Sequence, residues 1–341
     1  MARNSNIHAR LARPAAGALL LLALLAGALL WAYAMVPPSQ GVAWPTLTPT
    51  LTLTPTPHAP TLTPVPSSTP TSTPTATDTP TPTVTPTPTP EPCLETSGKV
   101  VRGTFFSATA GREQKYRVYL PPCYGHPTQD TGRSQGERGY PALYVFHGSH
   151  SDDAHWDEIL GVTRVADEGI QDGTLPPMLI VMLACDPILY LNTSGGEASL
   201  EGLVVNEFIP LIDQSYRTDA RPQARAVGGI SRGGVWSLEI AFRHPELFDA
   251  VGSHSSALNV NLAGPAYDPI HLAANPAIKS LRIYMDAGSV DYTKPGSDDL
   301  HTALVRAGVE HLYVVYEGDH SDPFWAARLK EYLLFYAERW Q

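Results

Sequence analysis

The sequence has little of what marks several common protein classes. Three cysteines in 341 residues exclude a small domain built on a disulfide framework. There is no block of Lys or Arg, and the formal net charge is −10, so we expect no nucleic-acid partner. The sequence also has no Cys, His, Asp and Glu cluster with metal-ligand spacing and no glycine-rich phosphate loop. We therefore expect no metal and no cofactor.

Charge is also missing from a long stretch near the start of the chain. Residues 15–36 contain no charged side chain, and a helix of 22 residues spans roughly 33 Å, about the hydrocarbon thickness of a bilayer. Arg3, Arg10 and Arg13 precede this stretch, and the next basic residue is Lys99. The positive-inside bias then places the N-terminus in the cytoplasm and the rest of the chain outside.

Residues 1–36 therefore have two interpretations. The first is a cytoplasmic basic end followed by an uncleaved anchor, which makes the protein a single-pass protein of the cell membrane. The second is a signal peptide cleaved after the small-x-small triplet Ala32-Tyr33-Ala34, which makes the protein secreted. Both interpretations export the remainder of the chain.

A segment rich in proline and threonine follows. Between Pro45 and Pro92, 34 of 48 residues are Pro or Thr. Such a stretch cannot bury enough apolar surface to offset its chain entropy, so residues 37–92 are predicted to be a disordered linker. Because proline-rich chains are extended, the linker would act as a stalk that holds the last domain, residues 93–341, away from the membrane.

Export changes what the cysteines are expected to do, since thiols tend to pair outside the cytoplasm. Cys93 and Cys123 flank the first part of the domain, so we predict a disulfide between them. The bond would close a loop of about 31 residues and stabilise the domain by roughly 3–4 kcal/mol. Cys185 is then expected to be unpaired and buried.

Apolar runs alternate with helical patterns through residues 93–341. Two extended stretches, 100–106 and 116–120, come first, and a polar segment over 125–139 reads as a surface loop. The short apolar runs are 142–146, 178–183, 224–227, 250–253, 281–285 and 312–316. The helical patterns between them include 200–214, 236–243, 298–307 and 324–339. Runs without polar alternation suit strands buried on both faces, so the pattern predicts an α/β fold, a mainly parallel sheet with helices on both faces.

One motif carries catalytic chemistry. Gly229-Ile230-Ser231-Arg232-Gly233 follows an apolar strand and opens a helix, which is the setting of a nucleophile elbow. The two glycines are needed because a β-carbon at either position would clash with neighbouring backbone. Ser231 is therefore the candidate nucleophile.

A serine needs a general base, and the base needs a carboxylate to orient it. In this fold the acid and then the histidine follow the serine in the chain. His320 comes just after the last apolar run and is the candidate base, with His254 as its rival. Asp291 is the candidate acid because it lies past Gly288, where the chain has left the sheet. Its competitor Asp286 sits at the strand end.

The oxyanion that forms on the substrate needs two N–H donors. The backbone N–H of Arg232 is one candidate, because it follows the nucleophile in the elbow. The loop Phe146-His147-Gly148-Ser149 should supply the other, and the N–H of Ser149 is our candidate. His147 is expected to be structural, since it precedes the serine in the chain.

These motifs together resemble the esterase D family of α/β-hydrolases, which includes feruloyl esterases, S-formylglutathione hydrolases, enterochelin esterases and mycolyltransferases. The resemblance covers about 103–341 and lies in the runs 140–148, 206–213 and 228–234, with Trp156, Phe248, Asp319-His320 and Phe324-Trp325. It implies an α/β-hydrolase fold with Ser231, Asp291 and His320 as the catalytic triad. Arg232 departs from the family pattern, which often has methionine there.

The function predicted from these residues is an extracytoplasmic serine esterase that hydrolyses carboxylic esters through an acyl-enzyme. A stalk suits a large extracellular substrate, such as a carbohydrate-linked ester, but it selects no particular acyl group. Two alternatives stay open: an acyltransferase, since the same triad serves both reactions, and a surface-displayed binding module that kept the fold without the chemistry.

Overall fold

Eight strands form one sheet in the computed structural model, which describes residues 91–126, 139–192 and 194–340. The strands are β1 (Lys99–Ser107), β2 (Arg112–Leu120), β3 (Ala142–Phe146), β4 (Leu179–Leu183), β5 (Arg225–Ile230), β6 (Ala250–His254), β7 (Arg282–Gly288) and β8 (Leu312–Tyr316). Their order across the sheet is β1-β2-β4-β3-β5-β6-β7-β8. Only the pairs β1–β2 and β2–β4 are antiparallel. The predicted mainly parallel sheet is confirmed.

Helices connect the parallel strands. The α-helices are α1 (Val162–Gln171), α2 (Pro187–Leu191), α3 (Leu200–Gly202), α4 (Ile209–Ser215), α5 (Arg232–Arg243), α6 (Pro269–Leu272), α7 (Lys294–Ala307), α8 (Asp322–Ala326) and α9 (Leu329–Ala337). Two π-helical turns cover His155–Ile159 and Leu203–Phe208, and 3-10 turns cover Pro222–Ala224, Leu258–Val260 and Pro276–Ser280.

Both faces of the sheet are covered, as the residues of β3 show. Because successive strand residues point to opposite faces, Tyr144 and Phe146 pack in one cluster with α4, α5 and α7. Leu143 and Val145 pack in the other cluster with α1 and α9. All five residues of β3 and all five of β4 are buried. The polypeptide is therefore an α/β-hydrolase-type sandwich of three layers.

Two helices that were predicted as continuous are interrupted in the structure. The helix predicted over 200–214 is α3, a π-helical turn and α4, because Pro210 has no N–H with which to continue the α-helical pattern. The helix predicted over 324–339 is interrupted between α8 and α9 at Arg328, whose backbone has φ −115° and ψ 3°. The Arg328 Nη1 donates to the carbonyl of Phe324 at 2.6 Å.

Several predicted boundaries are also corrected. Strand β5 runs on to Ile230, since the pairing with β6 outweighs the low strand propensity of Gly228 and Gly229. The last strand, β8, is not buried on both faces: it lies at the sheet edge, and Leu312 is half exposed. Helices α5 and α7 begin four residues earlier than predicted.

The predicted anchor and nearly all of the predicted linker, residues 1–90, lie outside the described residues, as do 127–138 of the predicted surface loop. Within the described ranges, no helix combines the length and apolar character needed to span a bilayer.

The predicted disulfide is confirmed. Cys93 is bonded to Cys123, with a Cα–Cα distance of 5.9 Å. The bond joins the residues just ahead of β1 to the turn that follows β2. Cys185 is unpaired and buried two residues beyond β4, also as predicted.

Candidate active site

Ser231 sits on a sharp turn between β5 and α5. Its φ of 54° lies in the left-handed region, which is unusual for a residue with a side chain. The Ser231 N–H donates to the carbonyl of His254 at 2.9 Å, which fixes the turn against β6. A β-carbon on Gly229 would come within 2.3 Å of the Gly233 backbone, and one on Gly233 within 2.3 Å of the Phe146 carbonyl oxygen. These two approaches are the physical reason for the Gly-x-Ser-x-Gly pattern.

The structure brings the three predicted triad residues together. His320 Nε2 lies 2.9 Å from Ser231 Oγ. On the other side of the ring, His320 Nδ1 lies 3.0 Å from Asp291 Oδ1 and 3.1 Å from Asp291 Oδ2. With a proton on Nδ1 bonded to the carboxylate, Nε2 is left to accept the serine proton. This arrangement can abstract the proton from Ser231, although the catalytic roles themselves stay predictions.

Asp291 is held as an anion by its neighbours. Burial raises the pKa of this carboxyl, but hydrogen bonds from His320 and Thr293 outweigh the burial, so the pKa lies below its ordinary value of 3.8. The Thr293 N–H donates to Asp291 Oδ1 at 2.8 Å. The carboxylate is therefore charged and oriented before any substrate arrives.

The two competing residues lie together at another place. His254 and Asp286 are directly opposite on β6 and β7, and neither side chain is exposed. Tyr332 donates to Asp286 Oδ2 at 2.6 Å, and His254 Nε2 lies 2.9 Å from the hydroxyl of Tyr336. These polar groups have partners within the core, and neither side chain has a hydrogen bond to Ser231 or His320.

The predicted oxyanion-hole residues lie beside the nucleophile. A β-carbon placed on Gly148 would lie 3.6 Å from Ser231 Cβ, so the loop after β3 passes directly over the serine. Ser149 is exposed in this loop, and its Oγ accepts a hydrogen bond from Arg232 Nε at 3.3 Å. The two N–H donors themselves stay predictions.

His147 has the structural role that was expected of it. Its Nε2 accepts a hydrogen bond from the Cys185 N–H at 3.2 Å, so the ring proton lies on Nδ1 and is donated to the Gly148 carbonyl at 2.6 Å. Burial lowers the pKa of His147, which favours the neutral ring that this pattern needs. His147 thus fixes the loop after β3 to the residues that follow β4.

The Esterase family model matches residues 107–336, a range that contains Ser231, Asp291 and His320. The chain belongs to the Esterase family. This membership confirms the resemblance found in the sequence.

Relatives of this esterase include a protein of Xylanibacter ruminicola named endo-1,4-beta-xylanase/feruloyl esterase. It is 30% identical over 225 residues, which are 65% of this chain and 29% of the relative. The chain thus matches less than a third of that relative's length. Among solved structures, a ferulic acid esterase aligns with a TM-score of 0.61 and 24% identity, over 71% of this chain and 98% of that one. An S-formylglutathione hydrolase from Staphylococcus aureus aligns with a TM-score of 0.58 and 17% identity, over 70% and 99%. These two structures show the fold.

Sequence reasoning missed several residues around the triad of this esterase. His155 Nε2 lies 2.8 Å from Asp322 Oδ1, which joins the segment after β3 to the helix that follows His320. Tyr292 is 61% exposed and its ring centroid lies 4.6 Å from that of His320. Sequence spacing carries no signal for the first pair, whose members are 167 positions apart. Tyr292 could have been found because it follows the acid directly.

One group of metal-ligand side chains comes together in the described part of the esterase: Cys93, Glu95 and Cys123. The two cysteines are joined as a disulfide, so neither offers a thiolate to a metal ion. The group does not fit a metal site while the bond is intact.

Proposed function

We propose that the protein is an extracytoplasmic serine esterase that hydrolyses carboxylic esters through an acyl-enzyme. The observation that carries the proposal is the continuous hydrogen-bond chain from Ser231 through His320 to Asp291. A hydroxyl is a weak nucleophile near neutral pH, and this chain supplies both the base and its orienting carboxylate.

In the first half of the reaction, His320 Nε2 takes the hydroxyl proton as Ser231 Oγ attacks the ester carbonyl. The carbonyl oxygen becomes an oxyanion, which the N–H groups of Arg232 and Ser149 would stabilise. The C–O bond to the alcohol then breaks, and His320 gives its proton to the departing alcohol. The acyl group is left on Ser231 Oγ.

In the second half, water replaces the alcohol. His320 takes a proton from the water as the water oxygen attacks the acyl carbonyl. His320 then gives that proton to Ser231 Oγ as the bond to the acyl group breaks and the carboxylic acid leaves. Asp291 stays ionised throughout and stabilises the imidazolium that forms in each half. Its depressed pKa suits that role.

Carbohydrate-linked esters are the proposed substrate class. The similarity to a xylanase/feruloyl esterase and to a ferulic acid esterase favours this class. The exposed ring of Tyr292 beside His320 also offers a flat surface on which a sugar or an aromatic acyl group could stack.

The location is proposed from the sequence. Residues 1–36 would anchor the chain in the cell membrane or be removed as a signal peptide, residues 37–92 would form the stalk, and residues 93–341 would be the catalytic domain outside. The Cys93–Cys123 disulfide fits an oxidising compartment. Protease treatment of intact cells that releases the domain would support this location, and full protection until lysis would contradict it.

The activity is tested on the full chain with a fluorophosphonate probe and short p-nitrophenyl esters. We expect the probe to label Ser231 and the esters to be turned over, and Ser231→Ala to remove both. A folded protein with neither labelling nor turnover would be the binding module instead. Labelling with acyl transfer to an added sugar in place of hydrolysis would identify the acyltransferase.

A further inference from the structure

The side chain that follows the nucleophile carries an unneutralised positive charge. Arg232 is partly buried at the start of α5, and no carboxylate oxygen among the described residues lies within 4.0 Å of its guanidinium. Most arginines in the described ranges do have such a partner, for example Arg243 with Glu201 at 2.8 Å and Arg282 with Asp249 at 2.8 Å. Arg306 and Arg328 also lack such a partner in the described ranges, but Arg232 is the one of the three that adjoins the nucleophile.

The single polar contact of Arg232 leaves most of its donors available. Its Nε donates to Ser149 Oγ at 3.3 Å, which directs the guanidinium along the loop that passes over Ser231. The two Nη groups have no hydrogen-bond partner among the described residues and are open to solvent. A guanidinium held at Nε presents its Nη donors as a fork, which matches the two oxygens of a carboxylate or the oxygens of a phosphate.

The position of the Arg232 guanidinium determines what it can bind. Arg232 adjoins Ser231, and Ser149 belongs to the loop predicted to hold the oxyanion, so the guanidinium lies at the rim of the place where the ester must bind. Partly removing a charge from water without a counter-ion costs free energy, which a bound anion recovers. The positive end of α5 acts in the same direction.

From this geometry we propose that Arg232 is a specificity-determining residue that selects esters carrying an oxyanion group, a carboxylate or a phosphate, close to the scissile bond. The inference rests on the proposed esterase function and adds the chemical class of the substrate. The backbone N–H of Arg232 donates a hydrogen bond to the carbonyl oxygen of the ester, while its guanidinium binds the anionic group of the substrate.

The test compares matched esters that differ in one charge. On the acyl side these are p-nitrophenyl hemisuccinate and p-nitrophenyl butyrate, and on the alcohol side 4-carboxyphenyl acetate and phenyl acetate. An aryl acetate with a phosphate in place of the carboxylate distinguishes the two kinds of anion. We expect kcat/KM to be at least about tenfold higher for the anionic ester than for its neutral counterpart, either on the acyl side or on the alcohol side. Raised ionic strength should reduce this preference.

Arg232→Met keeps the backbone donor and removes the charge. We expect it to lower the ratio of anionic to neutral kcat/KM by about tenfold, with Arg232→Lys in between. Arg306→Met is the matched control, because Arg306 is exposed near the far end of α7 and its loss should leave the ratio unchanged.

The outcomes separate this inference from the proposed function. Suppose that the fluorophosphonate labels Ser231. Equal kcat/KM for the anionic and neutral esters of every pair, or no turnover of any anionic ester, would then contradict the role of Arg232 and leave the esterase proposal standing. An unlabelled protein that turns over none of the esters contradicts the esterase proposal and this inference with it. A preference that Arg232→Met leaves intact assigns the selection to other residues and also overturns the inference.

Discussion

His254 Nδ1 lies 3.1 Å from Asp286 Oδ1 across two adjacent strands, and neither side chain is exposed to solvent. The ring of His254 stacks on Tyr332, with 3.6 Å between the ring centroids. A second histidine–aspartate pair therefore lies in the core, at the carboxyl ends of the parallel strands, where the triad also lies. The two pairs should respond to mutation in opposite ways.

Asp286→Asn should lower stability more than it lowers activity. The amide keeps the shape but weakens the bonds to His254 and Tyr332, and a buried polar group left without a partner costs about 1–3 kcal/mol. Urea unfolding followed by fluorescence should show a loss of that size. The exposed Asp299→Asn is the control and should change the free energy of unfolding by less than about 0.5 kcal/mol.

Asp291→Asn should cut ester turnover at least about a hundredfold while the fold is kept. An amide at this position can donate its N–H to His320 Nδ1, so that the ring proton lies on Nε2, which then cannot accept the proton of Ser231. Steady-state kinetics and circular dichroism on the same preparations measure both effects. If Asp286→Asn is the more damaging change to kcat, the acid is misassigned.

The pH dependence of kcat/KM should show loss of activity on the acid side with a slope of one. His320 must be neutral to accept the Ser231 proton, so protonating the imidazole removes the base. The Asp291 carboxylate stays charged toward low pH, because hydrogen bonds outweigh its burial and hold its pKa below 3.8. A profile that is flat toward low pH would contradict the role of His320.

Glu239→Gln should stabilise the protein increasingly as pH rises. Glu239 is fully buried on α5 with both carboxylate oxygens unpartnered among the described residues. Burial and the nearby charge of Glu201 raise its pKa from 4.5 to about 9. Between these two values the unfolded chain has lost a proton that the folded protein still holds, so stability falls as pH increases.

The Glu239→Gln variant does not titrate at this position. Its advantage in unfolding free energy over the native protein should grow by more than about 1 kcal/mol from about pH 5 to about pH 8. Urea unfolding at a series of pH values measures it. The exposed Glu310→Gln should show no such trend, and an advantage that does not change with pH would mean that Glu239 is not protonated when folded.

Cys93 and Cys123 should be found as a disulfide, and the thiol of Cys185 should be protected from reagents in the folded protein. A thiol reagent should find no reactive group in the native protein and one after unfolding without reductant, since burial raises the pKa of the Cys185 thiol. A non-reducing peptide map should join Cys93 to Cys123. A peptide that links Cys123 to Cys185 would show that the bond has the wrong partner.

The sequence predicted the parts of this fold that depend on local pattern. The strand β3 is an unbroken apolar run, and it is buried on both faces as that pattern implies. The Gly-x-Ser-x-Gly motif could be placed because a strand precedes it and a helix follows. The triad partners could be ranked because Asp291 lies beyond the end of the sheet, whereas Asp286 is still within a strand.

Other features depend on contacts that no local pattern records. Tyr336 reaches His254 from α9, 82 positions away, and nothing in the sequence around either residue marks the contact. The interruption at Arg328 depends on the Phe324 carbonyl to which its side chain donates. The exposure of β8 follows from its place at the edge of the sheet, and strand order is not readable from an apolar run.

The disulfide also determines how the domain would carry a mechanical load. Strand β1 is an edge strand that pairs only with β2, so a pull on the chain ahead of it would unzip it first if it bore the tension. Because Cys93 is joined to Cys123, tension applied ahead of Cys93 passes through the sulfur atoms to the end of β2. Residues 94–122, which include β1 and β2, are left slack, and the force passes from Cys123 along the chain to β3, an inner strand that pairs with β4 and β5.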